Sequence, residues 1–246
     1  MFTAGLVLWA LVALIVLVGL GFFARTVCDN PRQEPTTGLL AGILRLYNRL
    51  MHRVRYEGLG HIPPVGKPTL FVCNHTAGID PLLVHLASGH DIRWMMARDM
   101  RTPMLETFWN WMRIIDVDRI AGDPAAAREA LRELAQGGSV GIFPEGGLER
   151  PTNQLIPFEP GVGLIIKKSR AIVVPVVIDG TPQVDPAFAS LWHPSRSRVV
   201  FHEPIDYAGS GLSAKDIAQD LFARYQSWTG WPVNENPRQI EAGRGK

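Results

Sequence analysis

Six short apolar runs recur along the chain, at residues 69–73, 92–97, 114–117, 140–143, 172–178 and 198–201. Each has the length of a strand and is too short for a typical helix. Segments with helical signals lie between them. Residues 123–136 read DPAAAREALRELAQ, with Asp123 as N-cap, Pro124 at the first helical position and Gly137 just past the end. Residues 160–168 predict a buried helix. Residues 213–228 predict another, capped by Ser213 with Asp216 three residues on. Strands that alternate with helices predict an α/β fold, a mostly parallel sheet flanked by helices. No linker divides residues 57–230.

The amino terminus is a different kind of sequence. Residues 4–24 hold 21 positions without a charge. A bilayer core of about 30 Å takes about 20 apolar residues at 1.5 Å rise, so this run predicts a single-pass membrane-anchor helix. A cleaved signal peptide is the rival reading; it calls for a basic start, a shorter apolar stretch and a small-x-small cleavage site. The start here, MFT, has no basic side chain, and no clear cleavage site precedes Cys28. Arg25, Arg32, Arg45, Arg49, Arg53 and Arg55 follow the run, which places the remaining chain on the cytoplasmic face. In residues 38–56, Leu39, Leu40, Ile43, Leu46, Leu50, Met51 and Val54 fall at helical spacing, with Arg45, Arg49, His52 and Arg53 opposite. That pattern predicts an amphipathic helix, either in the headgroup layer or packed on its own domain. The expected division is an anchor and linker at 1–37, one globular domain at 38–232 and a polar tail at 233–246.

Composition removes several function classes. A formal charge of +2 gives no case for nucleic-acid binding. Two cysteines, Cys28 and Cys73, exclude a disulfide scaffold and a four-cysteine zinc site. Cys28 reads as a free thiol at the membrane edge, with acylation as the alternative.

Four motifs carry chemistry. Asn74, His75 and Asp80 follow the first long strand, with Asp80 and Pro81 as N-cap and first residue of a helix. A loop can bring His75 and Asp80 together, and a carboxylate on one imidazole nitrogen leaves the other as a base. The plain alternative is a cap and a turn. Asp116-Val117-Asp118-Arg119 ends another strand, and Phe143-Pro144-Glu145-Gly146 ends a third, where ligands gather in open α/β sheets. Pro175, inside an apolar run, implies an edge, a bulge or a bend in a core strand. The one G-x-S-x-G string, residues 137–141, leads into an apolar run rather than turning from a strand into a helix, so it is not a nucleophile elbow, which favours direct attack by a substrate group over a covalent acyl-enzyme.

In order and spacing these motifs resemble the glycerolipid acyltransferases, specifically the 1-acylglycerol-3-phosphate acyltransferase group. Asn74, His75 and Asp80 match Asn-His-x4-Asp; Arg119 matches the Arg of the second motif; Phe143 to Gly146 match Phe-Pro-Glu-Gly; Pro175 matches the proline of the fourth. The segment VRYEGLGHIP before the first motif and Phe158-Glu159-Pro160-Gly161 add to the likeness, which covers about residues 50–205. The family commonly continues Phe-Pro-Glu-Gly with Thr-Arg-Ser, whereas Gly147-Leu148-Glu149-Arg150 stand here, and Arg98 stands where a Lys is common.

The resemblance implies a membrane-bound enzyme of phospholipid biosynthesis. It would move an acyl group from acyl-CoA or acyl carrier protein to the free hydroxyl of 1-acylglycerol-3-phosphate, with no metal and no bound cofactor. His75 is the expected general base and Asp80 its orienting partner. Asn74 is assigned to the loop or the oxyanion, Arg119 to the acceptor phosphate, Glu145 and Gly146 to acceptor binding, and Arg150 to the phosphate as a weaker candidate. Other acceptors (glycerol-3-phosphate, another lysophospholipid, a lyso-aminolipid), a hydrolase that activates water, and a non-catalytic lipid-binding protein are the competing readings.

Overall fold

The computed structural model describes residues 2–118, 123–151 and 153–235. Two compact units form, Met1–Tyr47 and Asn48–Lys246. The first contains helices α1 (Phe2–Cys28) and α2 (Pro35–Tyr47). The second contains strands β1 (Arg55–Glu57), β2 (Thr69–Cys73), β3 (Ile92–Ala97), β4 (Ile115–Val117), β5 (Ser139–Ile142), β6 (Ile172–Asp179) and β7 (Arg198–Phe201), with helices α3 (Asp80–Ser88), α4 (Glu106–Trp111), α5 (Pro124–Ala135), α6 (Pro160–Ser169) and α7 (Ala214–Thr229).

The strands make one sheet in the order β1-β7-β6-β2-β5-β3-β4. Pairing is parallel except between β6 and β7. The α/β fold expected from the alternation is therefore the fold observed. β2 is buried at every position, as a strand covered on both faces must be. Leu70 and Val72 join Val140, Val173, Ile165, Ile166, Leu134 and Leu221 in a core under α5, α6 and α7. Phe71 points the other way and meets the His90 ring edge-on. Asp123 caps α5 by accepting from the Ala125 and Ala126 N–H groups, and Ser213 and Asp216 form a reciprocal capping box on α7.

Pro175 sits inside the sheet, in β6 between β2 and β7, and not at an edge. Its special feature is an opened ladder. The Val176 N–H donates to the Tyr225 hydroxyl at 2.9 Å, and that hydroxyl donates to the Val72 carbonyl at 2.6 Å. A side chain from α7 thus satisfies backbone groups that β2 and β6 do not exchange directly.

The amino-terminal expectations need correction. Among the described residues no helix is long and apolar enough to cross a membrane. The fold therefore does not support a single-pass anchor. The unit boundary falls after Tyr47 rather than after residue 37, because α2 packs back on α1. A Cβ at Gly38 would stand 1.7 Å from the Val27 carbonyl oxygen, so glycine permits the approach. The Asn30 amide spans the turn, donating to the Val27 and Glu34 carbonyls.

The amphipathic helix expected over 38–56 ends early. α2 stops at Tyr47, Asn48–His52 form a single π-helical turn, and Arg55 to Glu57 pair with β7. Segment 195–198 unwinds the helix: the Ser195 and Ser197 N–H groups donate to the Met51 and His52 carbonyls. His52 is fully buried against the Ser195 hydroxyl, not on a solvated basic face. The tail expected from residue 233 begins attached. The Asn234 N–H donates to the Leu155 carbonyl at 2.8 Å and its side chain to the Arg150 carbonyl at 2.9 Å. Residues 236–246 lie outside the described residues.

Candidate active site

β6, β2 and β5 are adjacent and parallel, so their carboxyl ends open on one edge of the sheet. The residues that follow β2 and β5 meet there. Asn74 continues the β2–β6 ladder with its side chain: its Oδ1 accepts from the Ile178 N–H at 2.7 Å and its Nδ2 donates to the Ile178 carbonyl at 2.9 Å. Nδ2 also donates to Glu149 Oε1 at 3.1 Å. With both donors engaged inside the protein, Asn74 holds the loop and has none left for an oxyanion.

Asp80 is the first residue of α3 rather than its N-cap, which is Ile79. Its carboxylate is fully buried and gathers the preceding loop around itself. Oδ2 accepts from the Thr76 N–H at 2.7 Å, the Ala77 N–H at 2.8 Å and His75 Nδ1 at 3.0 Å. The Thr76 hydroxyl donates to it as well and meets the Thr181 hydroxyl. A carboxylate can only accept, so His75 Nδ1 carries the proton and Nε2 the free lone pair. The His75 side chain keeps 20% of its surface exposed, against none for Asp80. The imidazole therefore keeps contact with solvent while its partner stays dry.

The imidazole plane is set by stacking. His75 lies on Phe143 with ring centroids 3.9 Å apart and planes 19° apart, and Phe143 lies on Trp94 at 5.1 Å. Trp94 fits because β5 carries glycine opposite it; a Cβ at Gly141 would stand 2.4 Å from the indole. The phenylalanine of the Phe-Pro-Glu-Gly segment thus orients the His75 imidazole, a role its sequence position alone does not reveal.

Glu145 is buried, and its Oε2 accepts from the His75 backbone N–H at 3.2 Å. Gly146 turns at φ 67, which glycine adopts without cost. Glu149, unassigned from sequence, is fully buried beside them. Burial pushes the Glu149 carboxyl up to about 8, against the opposing Asn74 hydrogen bond, and the Asp80 and Asp179 charges add to the rise. Burial and the Glu149 charge raise Glu145 well above the ordinary range. The signal in the sequence was two glutamates four residues apart in a glycine-rich turn, Glu145-Gly-Gly-Leu-Glu149.

Arg150 does not present itself to an acceptor phosphate. Its guanidinium donates to the carbonyls of Thr76, Glu149 and Val184 and to Asp185. It clamps the loop that carries His75. Arg119 lies outside the described residues. Of its motif, Asp116 pairs with Arg101 at 2.9 Å, and the Asp118 N–H donates to Asp123. Among the described residues no group of three His, Cys, Asp or Glu side chains is arranged to hold a metal.

A buried Asp bonded to a half-buried His thus stands at the strand ends of a parallel sheet, an arrangement suited to a general base. Residues 53–179 match the acyltransferase family, and the chain belongs to it. The chain is similar to the 1-acyl-sn-glycerol-3-phosphate acyltransferase of Cocos nucifera, 28% identical over 126 residues that cover 46% of this chain and 37% of that enzyme. The match therefore spans little more than a third of the curated relative's length. The fold is similar to the crystal structure of the 1-acyl-sn-glycerophosphate acyltransferase from Thermotoga maritima, with a TM-score of 0.66 and 21% identity, over 90% of this chain and 91% of that one.

Proposed function

We propose that the chain transfers an acyl group from a thioester to the free hydroxyl of 1-acylglycerol-3-phosphate, forming phosphatidic acid at a membrane. The observation that carries this reading is the 3.0 Å bond between His75 Nδ1 and buried Asp80. His75 Nε2 takes the hydroxyl proton as the oxygen attacks the thioester carbonyl. The new C–O bond forms, the C–S bond breaks, and the imidazolium returns its proton to the leaving thiolate. Such proton transfer contributes about 10²–10⁴-fold. Acyl-CoA and acyl carrier protein both supply the required thioester. The names of the relatives support the acceptor, and Arg119 is assigned its phosphate because a guanidinium matches phosphate oxygens in pairs.

Membrane contact is part of the proposal. Residues 4–24 are charge-free, and Trp9, Ile15, Leu17, Val18 and Phe22 of α1 are exposed, as are Leu39, Ile43 and Leu46 of α2. Contiguous apolar surface of this kind marks a lipid or protein partner. The engagement of Arg150 by carbonyls favours a second acceptor class, lysolipids without a phosphomonoester.

The test is a purified-enzyme screen of lysolipid acceptors against both donor types, read by mass spectrometry, with His75→Ala alongside. Acceptor-dependent ester that disappears in the variant is the expected result. A His75→Ala rate near wild type overturns the general-base reading, and free fatty acid without ester favours a hydrolase.

A further inference from the structure

Both backbone polar groups of His75 are held by the same turn. Its N–H donates to Glu145 Oε2 at 3.2 Å, and its carbonyl accepts from the Glu149 N–H at 2.8 Å. Glu149 Oε1 accepts from Asn74, which itself closes the β2–β6 ladder. The two remaining carboxyl oxygens, Glu145 Oε1 and Glu149 Oε2, are buried and have no hydrogen-bond partner among the described residues. The Glu149 charge bears directly on Glu145. Two ionised carboxylates cannot hydrogen-bond to one another, since both only accept. One proton between them satisfies every buried oxygen of the pair.

We propose that Glu149 is a positioning residue that shares a single proton with Glu145, and that this acid pair holds the His75 backbone in register for acyl transfer. The inference rests on the general-base reading of His75. Glu149 Oε2–H donates to Glu145 Oε1, while Glu145 Oε2 remains free to accept from His75. The charged groups around the pair explain why only one negative charge is stable there. Asp80 faces it from α3 and Asp179 from the end of β6. Tyr225 approaches Glu145 from α7, and the Arg150 guanidinium is turned to the Glu149 carbonyl. Loss of the shared proton would set two buried carboxylates against each other beside Asp80. The turn would then separate from the loop that carries the base.

The test uses the full chain in phospholipid vesicles. Wild type loses kcat on the alkaline side as the shared proton leaves. Glu149→Ala strips Asn74 and Glu145 of a partner and lowers kcat by about 100-fold with KM little changed, the scale of a small misplacement of a reacting group. Glu149→Gln can donate to Glu145 and accept from Asn74 without a titrating proton; it restores most of kcat and moves the alkaline limb upward by about one pH unit or more. Infrared spectra give a readout independent of turnover: wild type at neutral pH shows a protonated carboxylic acid that disappears in Glu149→Gln. An acid band unchanged in that variant, an alkaline limb that does not move, or wild-type kcat in Glu149→Ala overturns the proposal. A His75→Ala enzyme with wild-type rate overturns the base reading instead, and the infrared result still decides the shared proton.

Discussion

The carboxyl edge of the sheet and the amino-terminal unit treat surface in opposite ways. At the sheet edge, Asn74, Asp80, Glu145 and Glu149 are polar and buried, and each side chain makes at least one hydrogen bond within the protein. In α1 and α2, Leu17, Phe22, Leu39 and Ile43 are apolar and exposed. Burying an unpaired charge costs several kcal/mol, so the first region tolerates its polar core only through specific hydrogen bonds. Apolar contact is non-directional, so the second region can leave its partner to the environment. One region is therefore sensitive to single atoms, and the other to the sum of its surface.

Removing the base should break the first region most severely. His75→Ala is expected to lower kcat by about 10²–10⁴-fold, roughly 3–5 kcal/mol in the barrier, with thermal stability nearly unchanged. Asp80→Asn should fall in the same range, because an amide oxygen can still accept from Thr76, Ala77 and His75 but carries no negative charge to stabilise the imidazolium. Steady-state kinetics with parallel thermal melts separate lost chemistry from lost fold.

A methyl group at Gly141 comes next. It would overlap Trp94 and disturb the Trp94–Phe143–His75 stack. Gly141→Ala should cost about 1–3 kcal/mol of stability by overpacking and lower kcat as well. Denaturant unfolding measures the first effect and single-turnover kinetics the second.

The acid pair gives stability a pH dependence of definite sign. Glu149 titrates at about 8 in the fold and near 4.5 in the unfolded chain. Between those values the folded state binds a proton that the unfolded state has released. Stability therefore falls as pH rises through that window and levels off above about 8. Glu149→Gln should flatten that slope in urea titrations at several pH values. A slope identical to wild type would remove Glu149 as its source.

The smallest effect on stability belongs to the amino-terminal unit. Replacing Leu39, Ile43 and Leu46 together by Asp should change folding stability by no more than about 0.5 kcal/mol per site, since these side chains are already exposed. The same substitutions should sharply reduce sedimentation with phospholipid vesicles. Unchanged binding would show that this apolar face is not what meets lipid.

Elements fixed by near neighbours were legible in the sequence. The ranges expected for β2, β3 and β7 are those observed, and α5 and α7 start at the expected caps. His75 and Asp80 were legible as a pair because they are five residues apart in one loop. The end of the helix near residue 47 was not, because segment 195–198 competes for the Met51 and His52 carbonyls across the fold. Nor was Arg150: its fork is satisfied by Thr76 and Val184, which lie 74 and 34 residues away in the chain. A surface arginine and a carbonyl clamp are the same residue until the neighbours are known.

The chain alone determined the alternating strands and helices, the charge-free amino terminus and the loop that carries a histidine and an aspartate. These follow from periodicity, caps and short-range geometry, which act within a few residues. Tertiary structure decided which polar groups are buried together, above all Glu149 beside Glu145 and Asn74 across the β2–β6 ladder. Burial and hydrogen-bond partnership are properties of residues brought close by the whole fold, and local pattern carries no record of them.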